Sequence, residues 1–217
     1  MSIKSILYSF LPGVRIMCMH HLSASSDSLC DCVINKENFL SFCLGKRFVS
    51  LDVAIKSPAL NDNSYVLTID DGLADLYDIF CLTQELRIPI SAFVSSDFIG
   101  LPGYISKEHL IEMSNNPFVI LGSHGCRHKK LTDCSYVESF HEIDESKKAL
   151  ECLIKKRVVY YAYPNGAFRK GNIKQVYSCG YNAAFSVIPR KHTFLTKLSP
   201  YTIPRFNLTN DTFLNWK

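Results

Sequence analysis

Two adjacent carboxylates, Asp70 and Asp71, end an apolar run in the stretch VLTIDDGLADLYD at residues 66–78. Like charges this close repel, and burying both without partners is costly, so the pair calls for water or a cation. An Asp-Gly step after a strand-like run is also an ordinary turn, and Asp caps helices. In SHGCRH, His124 and His128 stand four apart, a separation that brings two imidazoles to one side of a helical turn or tight loop. Gly125 follows the first His where a zincin would carry its catalytic Glu. Two neutral imidazoles and a carboxylate from another strand end make a three-ligand site for a divalent metal, with positions open for water and substrate. One Asp then ligates the metal and its neighbour serves as a base on the activated water.

These residues need a scaffold that gathers strand ends. Short β-branched or aromatic runs alternate with longer helical ones, the βα alternation of a parallel sheet or barrel. Strands are expected at 14–20, 48–51, 65–70, 90–95, 119–122, 158–163, 183–187 and 201–206. Helices are expected at 36–44, 74–86, 107–115, 136–156 and 172–179. Ser135 and Glu138 form a capping box ahead of the fourth helix. Asp75 and Asp78 read as first-turn charges of the second. In such folds functional residues collect at the carboxyl edge of the strands. The Asp pair, GSHGCRH and AYPNGAF all lie there.

The 217 residues suit one α/β domain spanning 1–217. Apolar residues make up 47% and charged residues 20%, with a net charge of +4, ordinary values for a globular protein. The basic residues are scattered, which argues against a nucleic-acid partner. The nine cysteines form no C-x-x-C framework, so a reducing, cytoplasmic setting is expected. Pro12, Gly13 and Arg15 interrupt the N-terminal apolar stretch, and no signal peptide or transmembrane helix is expected. Residues 6–11 leave room for a weak membrane-surface contact, with burial the stronger expectation.

Three motifs in order now carry a resemblance. TIDDG is similar to the T-F-D-D-G of the polysaccharide deacetylase family, the NodB-homology domains of carbohydrate esterase family 4. His124 to His128 resembles its H-S/T-x-x-H, and YAYPNG, at 161–166, its third motif, R-x-P-x-G or F-A-Y-P-Y-G. IMCMHHLS, INKENFLSF, RIPISAFV, GYNAAFS and IPRF are similar to weaker segments, so the resemblance covers most of the chain. It implies a distorted (β/α)7 barrel and hydrolysis of an N-acetyl, less commonly O-acetyl, group from an acetylated amino sugar or glycan. It assigns Asp70 as base and Asp71, His124 and His128 as ligands of a divalent metal, usually zinc. It places Tyr163, Pro164, Asn165 and Gly166 at the substrate; on chemical grounds a backbone N–H of the Pro-x-Gly turn, such as that of Asn165, would add an oxyanion donor.

Two departures shape the remaining assignments. Ala162 replaces the Arg that opens the third motif, and no late L-x-H segment supplies an acid, His192 lying in a basic loop. Strand alternation puts His20 on the same face as Val14, Ile16 and Cys18, and His21 on the other, which makes His20 the preferred acid. Arg205 in YTIPRF lies on a last strand that closes beside the early ones in a barrel, where it would hold Asp70. Cys126 reads as a packed small residue, His109 and His141 as structural or surface histidines. Phe98, Tyr104, Tyr163 and Phe168 offer stacking walls or core. Two other functions fit the same residues: a related hydrolase of a non-sugar linear amide, and a catalytically inactive carbohydrate-binding domain.

Overall fold

In the computed structural model, residues 13–23, 32–56, 63–187 and 199–213 are described. Residues 6–11, Cys30 and His192 lie outside them. The strands are β1 (Arg15–Met19), β2 (His21–Ser23), β3 (Val33–Asn35), β4 (Tyr65–Ile69), β5 (Ile90–Val94), β6 (Val119–Ser123), β7 (Tyr160–Ala162), β8 (Ala183–Ser186), β9 (Ile203–Pro204) and β10 (Phe206–Asn207). The helices are α1 (Lys36–Cys43), α2 (Leu51–Lys56), α3 (Leu76–Glu85), α4 (Lys107–Asn115), α5 (Tyr136–Ile154) and α6 (Lys170–Ser178).

Eight strands form one parallel sheet in the order β10-β1-β4-β5-β6-β7-β8-β9, with β2 and β3 paired apart from it. Its two edges are consecutive in the chain. Ile203 and Pro204 pair with Phe185 and Ser186 of β8, whereas Phe206 and Asn207 pair with Met17 and Cys18 of β1. One short segment therefore switches partners at Arg205 and nearly closes the sheet. Counted as a single strand, it gives a (β/α)7-type barrel, as the sequence led us to expect.

Strand alternation divides the core in two. Val14, Ile16, Val66, Phe93, Tyr160, Phe185 and Ile203 fill the interior. Met17, Leu67, Ile69, Leu110 and Ile143 fill the layer under the helices. Each such side chain contributes about 1.5–3 kcal/mol by leaving water.

Local signals account for the helix starts. Asn35 caps α1 by accepting from Asn38 N at 2.7 Å, and Ser106 caps α4 by accepting from His109 N at 3.1 Å. The Ser135–Glu138 capping box opens α5, which stops at left-handed Lys155, φ 56°.

Three elements differ from expectation. The strand expected at 48–51 is reduced to a single bridge between Phe48 and Tyr65, and α2 starts at Leu51. The short β2–β3 pair carries no alternation long enough to read. Asp75 makes no capping bond: its Oδ2 accepts Leu22 N at 2.7 Å and lies 2.7 Å from His21 Nδ1, tying β2 to the start of α3. Cys18, Cys43, Cys81, Cys126, Cys134, Cys152 and Cys179 are free thiols. No described helix is long and apolar enough to cross a membrane.

Candidate active site

Parallel strands bring all their carboxyl ends to one rim, and there they surround a cleft of about 340 Å³. His20 follows β1, Asp70 and Asp71 follow β4, His124 and His128 follow β6, and Tyr163, Asn165 and Gly166 follow β7. All of them line the cleft, with Cys32, Val187 and Asn207. Sequence reasoning had given none of the last three a role, and no local signal marks them. Pro164 is buried and is not one of the lining residues.

A sharp turn gives the two carboxylates separate surroundings. Asp71 and Gly72 both take positive φ, 74° and 78°. A Cβ at Gly72 would stand 2.2 Å from Val94 Cγ1, so the close approach to β5 requires glycine. Asp70 continues the inward face of β4 and is 1% exposed. Its Oδ1 and Oδ2 accept Arg205 Nη1 at 2.6 Å and Nη2 at 2.5 Å. Arg205, also fully buried, donates to Thr68 Oγ1 at 3.0 Å, and its guanidinium carbon lies 5.3 Å from the Phe93 ring centroid. Burial pushes the Asp70 carboxyl up, but Arg205 and then His124 outweigh this and hold it below the usual carboxylate range.

Asp71 turns toward the histidines instead. Its Oδ1 is 3.3 Å from His124 Nε2 and 3.2 Å from His128 Nε2. That oxygen is buried and makes no hydrogen bond among the described residues. His124 Nδ1 lies 2.9 Å from the Ala162 carbonyl oxygen, which can only accept, so Nδ1 carries a hydrogen and Nε2 is the nitrogen left to ligate a metal. Two imidazole nitrogens and a carboxylate oxygen thus converge, their ligand atoms within 4.8 Å of one another. An unpaired buried anionic oxygen facing nitrogen donors is the environment a divalent cation satisfies, and the N₂O set fits one. Burial raises the Asp71 pKa, yet both imidazoles more than offset this and hold its carboxyl well below the ordinary range. Asp71 in turn raises His128.

Cys18, His20 and Asp70 form a second group within 4.8 Å. Here burial drives the Cys18 thiol far above its ordinary pKa, and Arg205 occupies both Asp70 oxygens. A protonated thiol and a buried cation make this a poor metal site. His20 Nδ1 is buried and makes no hydrogen bond among the described residues, and burial lowers the ring's pKa against the pull of Asp70 and Asp71.

Around the cleft, Tyr163 is fully buried, stacks on Phe168 at 4.7 Å and donates through its hydroxyl to Tyr201 O at 3.1 Å. In the next turn, Gly166 N–H donates to Tyr163 O and Ala167 N–H to Pro164 O, with Asn165 at φ 56° between them. A Cβ at Gly166 would meet Val187 N at 2.6 Å. Phe98 and Tyr104 pack at 4.7 Å and line a smaller pocket beside Asp71 and His128. Cys126 is buried, and burial pushes its thiol up to about 11. His109 stacks on Tyr77, with the ring centroids 3.7 Å apart.

The profile of a family described as polysaccharide deacetylase matches residues 58–184, which hold both carboxylates, both histidines and the Pro-Asn-Gly turn. The chain belongs to the polysaccharide deacetylase family. Comparison with curated proteins finds no match. Among solved structures, the deacetylase PplD of Streptococcus pyogenes, in complex with acetate, superposes with a TM-score of 0.82 at 16% identity, over 94% of this chain and 96% of that one. IcaB from Ammonifex degensii gives 0.79 at 19%, over 94% and 95%. BA3943 from Bacillus anthracis, described as a family pseudoenzyme, gives 0.51 at 16%, over 69% and 56%. At these identities the likeness is one of fold. Within the polysaccharide deacetylase barrel, Arg205 reaches Asp70 from a strand remote from the third motif, where Ala162 stands.

Proposed function

We propose that the protein is a metal-dependent deacetylase that hydrolyses the N-acetyl group of an acetylated amino sugar within a glycan. The observation that carries this reading is the division of labour between neighbours: Asp70 is locked on Arg205, while Asp71 faces two imidazole nitrogens. Asp71, His124 and His128 would hold the ion, and zinc is a metal that two imidazoles and one carboxylate suit. Such an ion supplies Lewis acidity to the acetyl carbonyl and lowers the pKa of water.

Asp70 accepts the proton of the attacking water, and Arg205 keeps it ionised and in one orientation for that purpose. His20 donates a proton to the nitrogen released when the C–N bond breaks, giving acetate and a free amine. The Asn165 N–H, on the lip of the cleft, donates to the oxyanion that develops on the acetyl oxygen.

The test is acetate release from N-acetylated and O-acetylated oligosaccharides and nucleotide sugars, before and after chelation and on restoring zinc. Release that chelation abolishes and zinc restores is the expected result. A protein that binds the glycan and releases no acetate under any metal is a binding domain instead.

A further inference from the structure

The metal site depends on His124 and His128 standing together, and one buried side chain from another element holds the loop between them. Glu142, in α5, is wholly buried. Its Oε2 accepts the backbone N–H of Cys126 at 3.0 Å and of Arg127 at 2.8 Å. Its Oε1 accepts Arg127 Nε at 2.9 Å, with Nη2 also at 2.9 Å. Three further backbone groups of the spacer are bonded too. Gly125 N–H donates to Ser123 Oγ at 3.2 Å, Gly125 O accepts Ser96 N–H at 3.1 Å, and Cys126 O accepts Asp97 N–H at 3.0 Å.

This bonding sustains a loop shape that a free chain seldom adopts. Gly125 has φ 78° and His128 has φ 53°, so the loop enters the left-handed region at both residues. A Cβ on Gly125 would come to 3.4 Å from Glu142 Oε2, which shows how closely the carboxylate is applied. An isolated buried carboxylate would be costly, but two amides and the Arg127 guanidinium satisfy this one.

We propose that Glu142 is a positioning residue that presets the His124–His128 loop in its metal-binding shape before an ion arrives, with Arg127 neutralising the charge that this requires. The inference rests on the metal site proposed above. Its content is that the protein meets the ordering cost of the loop during folding, so less of the ion's binding energy is spent on it. A residue serving stability alone would have no effect on the affinity of the folded protein for metal.

The experiment is a zinc titration of metal-free wild type, Glu142→Gln and Glu142→Asp against a competing chelator, with folding checked by circular dichroism. Gln keeps the volume but turns an N–H toward donors, and Asp keeps the charge but draws the oxygens back by one carbon. Folded Glu142→Gln is expected to bind zinc roughly 10- to 100-fold more weakly, with Glu142→Asp between it and wild type. Unchanged affinity in either folded variant overturns the proposal. Should neither fold, hydrogen exchange on metal-free wild type decides. Cys126 and Arg127 amides as well protected as those of β6 support a preset loop, and rapid exchange overturns it. If wild type binds no zinc, or binds it equally after His124→Ala, the metal site itself fails, a result distinguishable from failure at Glu142.

Discussion

Arg205 places both terminal guanidinium nitrogens on both oxygens of Asp70, at 2.6 and 2.5 Å, although 135 residues separate the two in the chain. Neither side chain is more than 2% exposed. Removing one partner of such a pair leaves an uncompensated buried charge, at a cost of about 3–5 kcal/mol. Arg205→Ala is therefore expected to lower both stability and turnover, and Arg205→Lys to recover them only in part because the two-pronged contact is lost. Adding Asp70→Asn to Arg205→Ala should restore much of the stability and none of the activity. Denaturant titration with an acetate assay measures both. Wild-type turnover in folded Arg205→Ala would contradict the role given to the pair.

Asp70 and Asp71, adjacent in sequence, should separate by phenotype. Asp70→Asn is expected to keep its metal while turnover falls by roughly 100-fold or more, as for loss of a general base. Asp71→Asn should lose metal and activity together. Metal analysis beside kinetics distinguishes them, and exchanged phenotypes would mean that the roles are reversed.

His20→Gln tests the proton donor. Metal content should match wild type, and kcat on an unactivated acetamido sugar should fall by roughly 100-fold. A substrate whose leaving group needs no proton should be cleaved at closer to the normal rate. Equal losses on both substrates would assign His20 a structural task.

Metal affinity should rise with pH, and the sign follows from the ion pair. In the metal-free protein, Asp71 raises the His128 pKa above its ordinary 6.5, burial opposing it. A raised pKa stabilises the fold while the ring is protonated, and that contribution is lost as pH climbs through the raised value. The Asp71 carboxyl, depressed from 3.8 by the imidazoles against the effect of burial, contributes above 3.8 and loses its effect as pH falls through the depressed value. Metal must displace the His128 proton, so affinity should increase by up to about tenfold per pH unit below the raised value and level off above it. Calorimetric zinc titrations from about pH 5.5 to 8.5 check this, and a flat profile would place His128 outside the ligand set.

Most of the elements, and the residue types at their ends, are legible in the sequence. Capping at Ser135, strand alternation from Val14 to His20, and the turn chemistry of Asp-Asp-Gly and Pro-Asn-Gly act over a few residues, so they are legible locally. The expected helix at 107–115 is found as Lys107–Asn115, and the strand at 90–95 as Ile90–Val94. The three motifs located the rim where His20, Asp70, His124 and Asn165 meet. The partnerships were decided only in the tertiary structure. The last strand reads as one run from 201 to 206, yet it divides at Arg205 because its halves pair with β8 and β1, and this sets the guanidinium on Asp70. Glu142 gave no sign of its task, since a Glu in a helical pattern ordinarily faces water, and only the packing of α5 against the loop after β6 brings it to the Cys126 and Arg127 amides. Backbone preference is a property of neighbours in the chain, whereas the charge that meets a buried carboxylate depends on how the whole barrel closes.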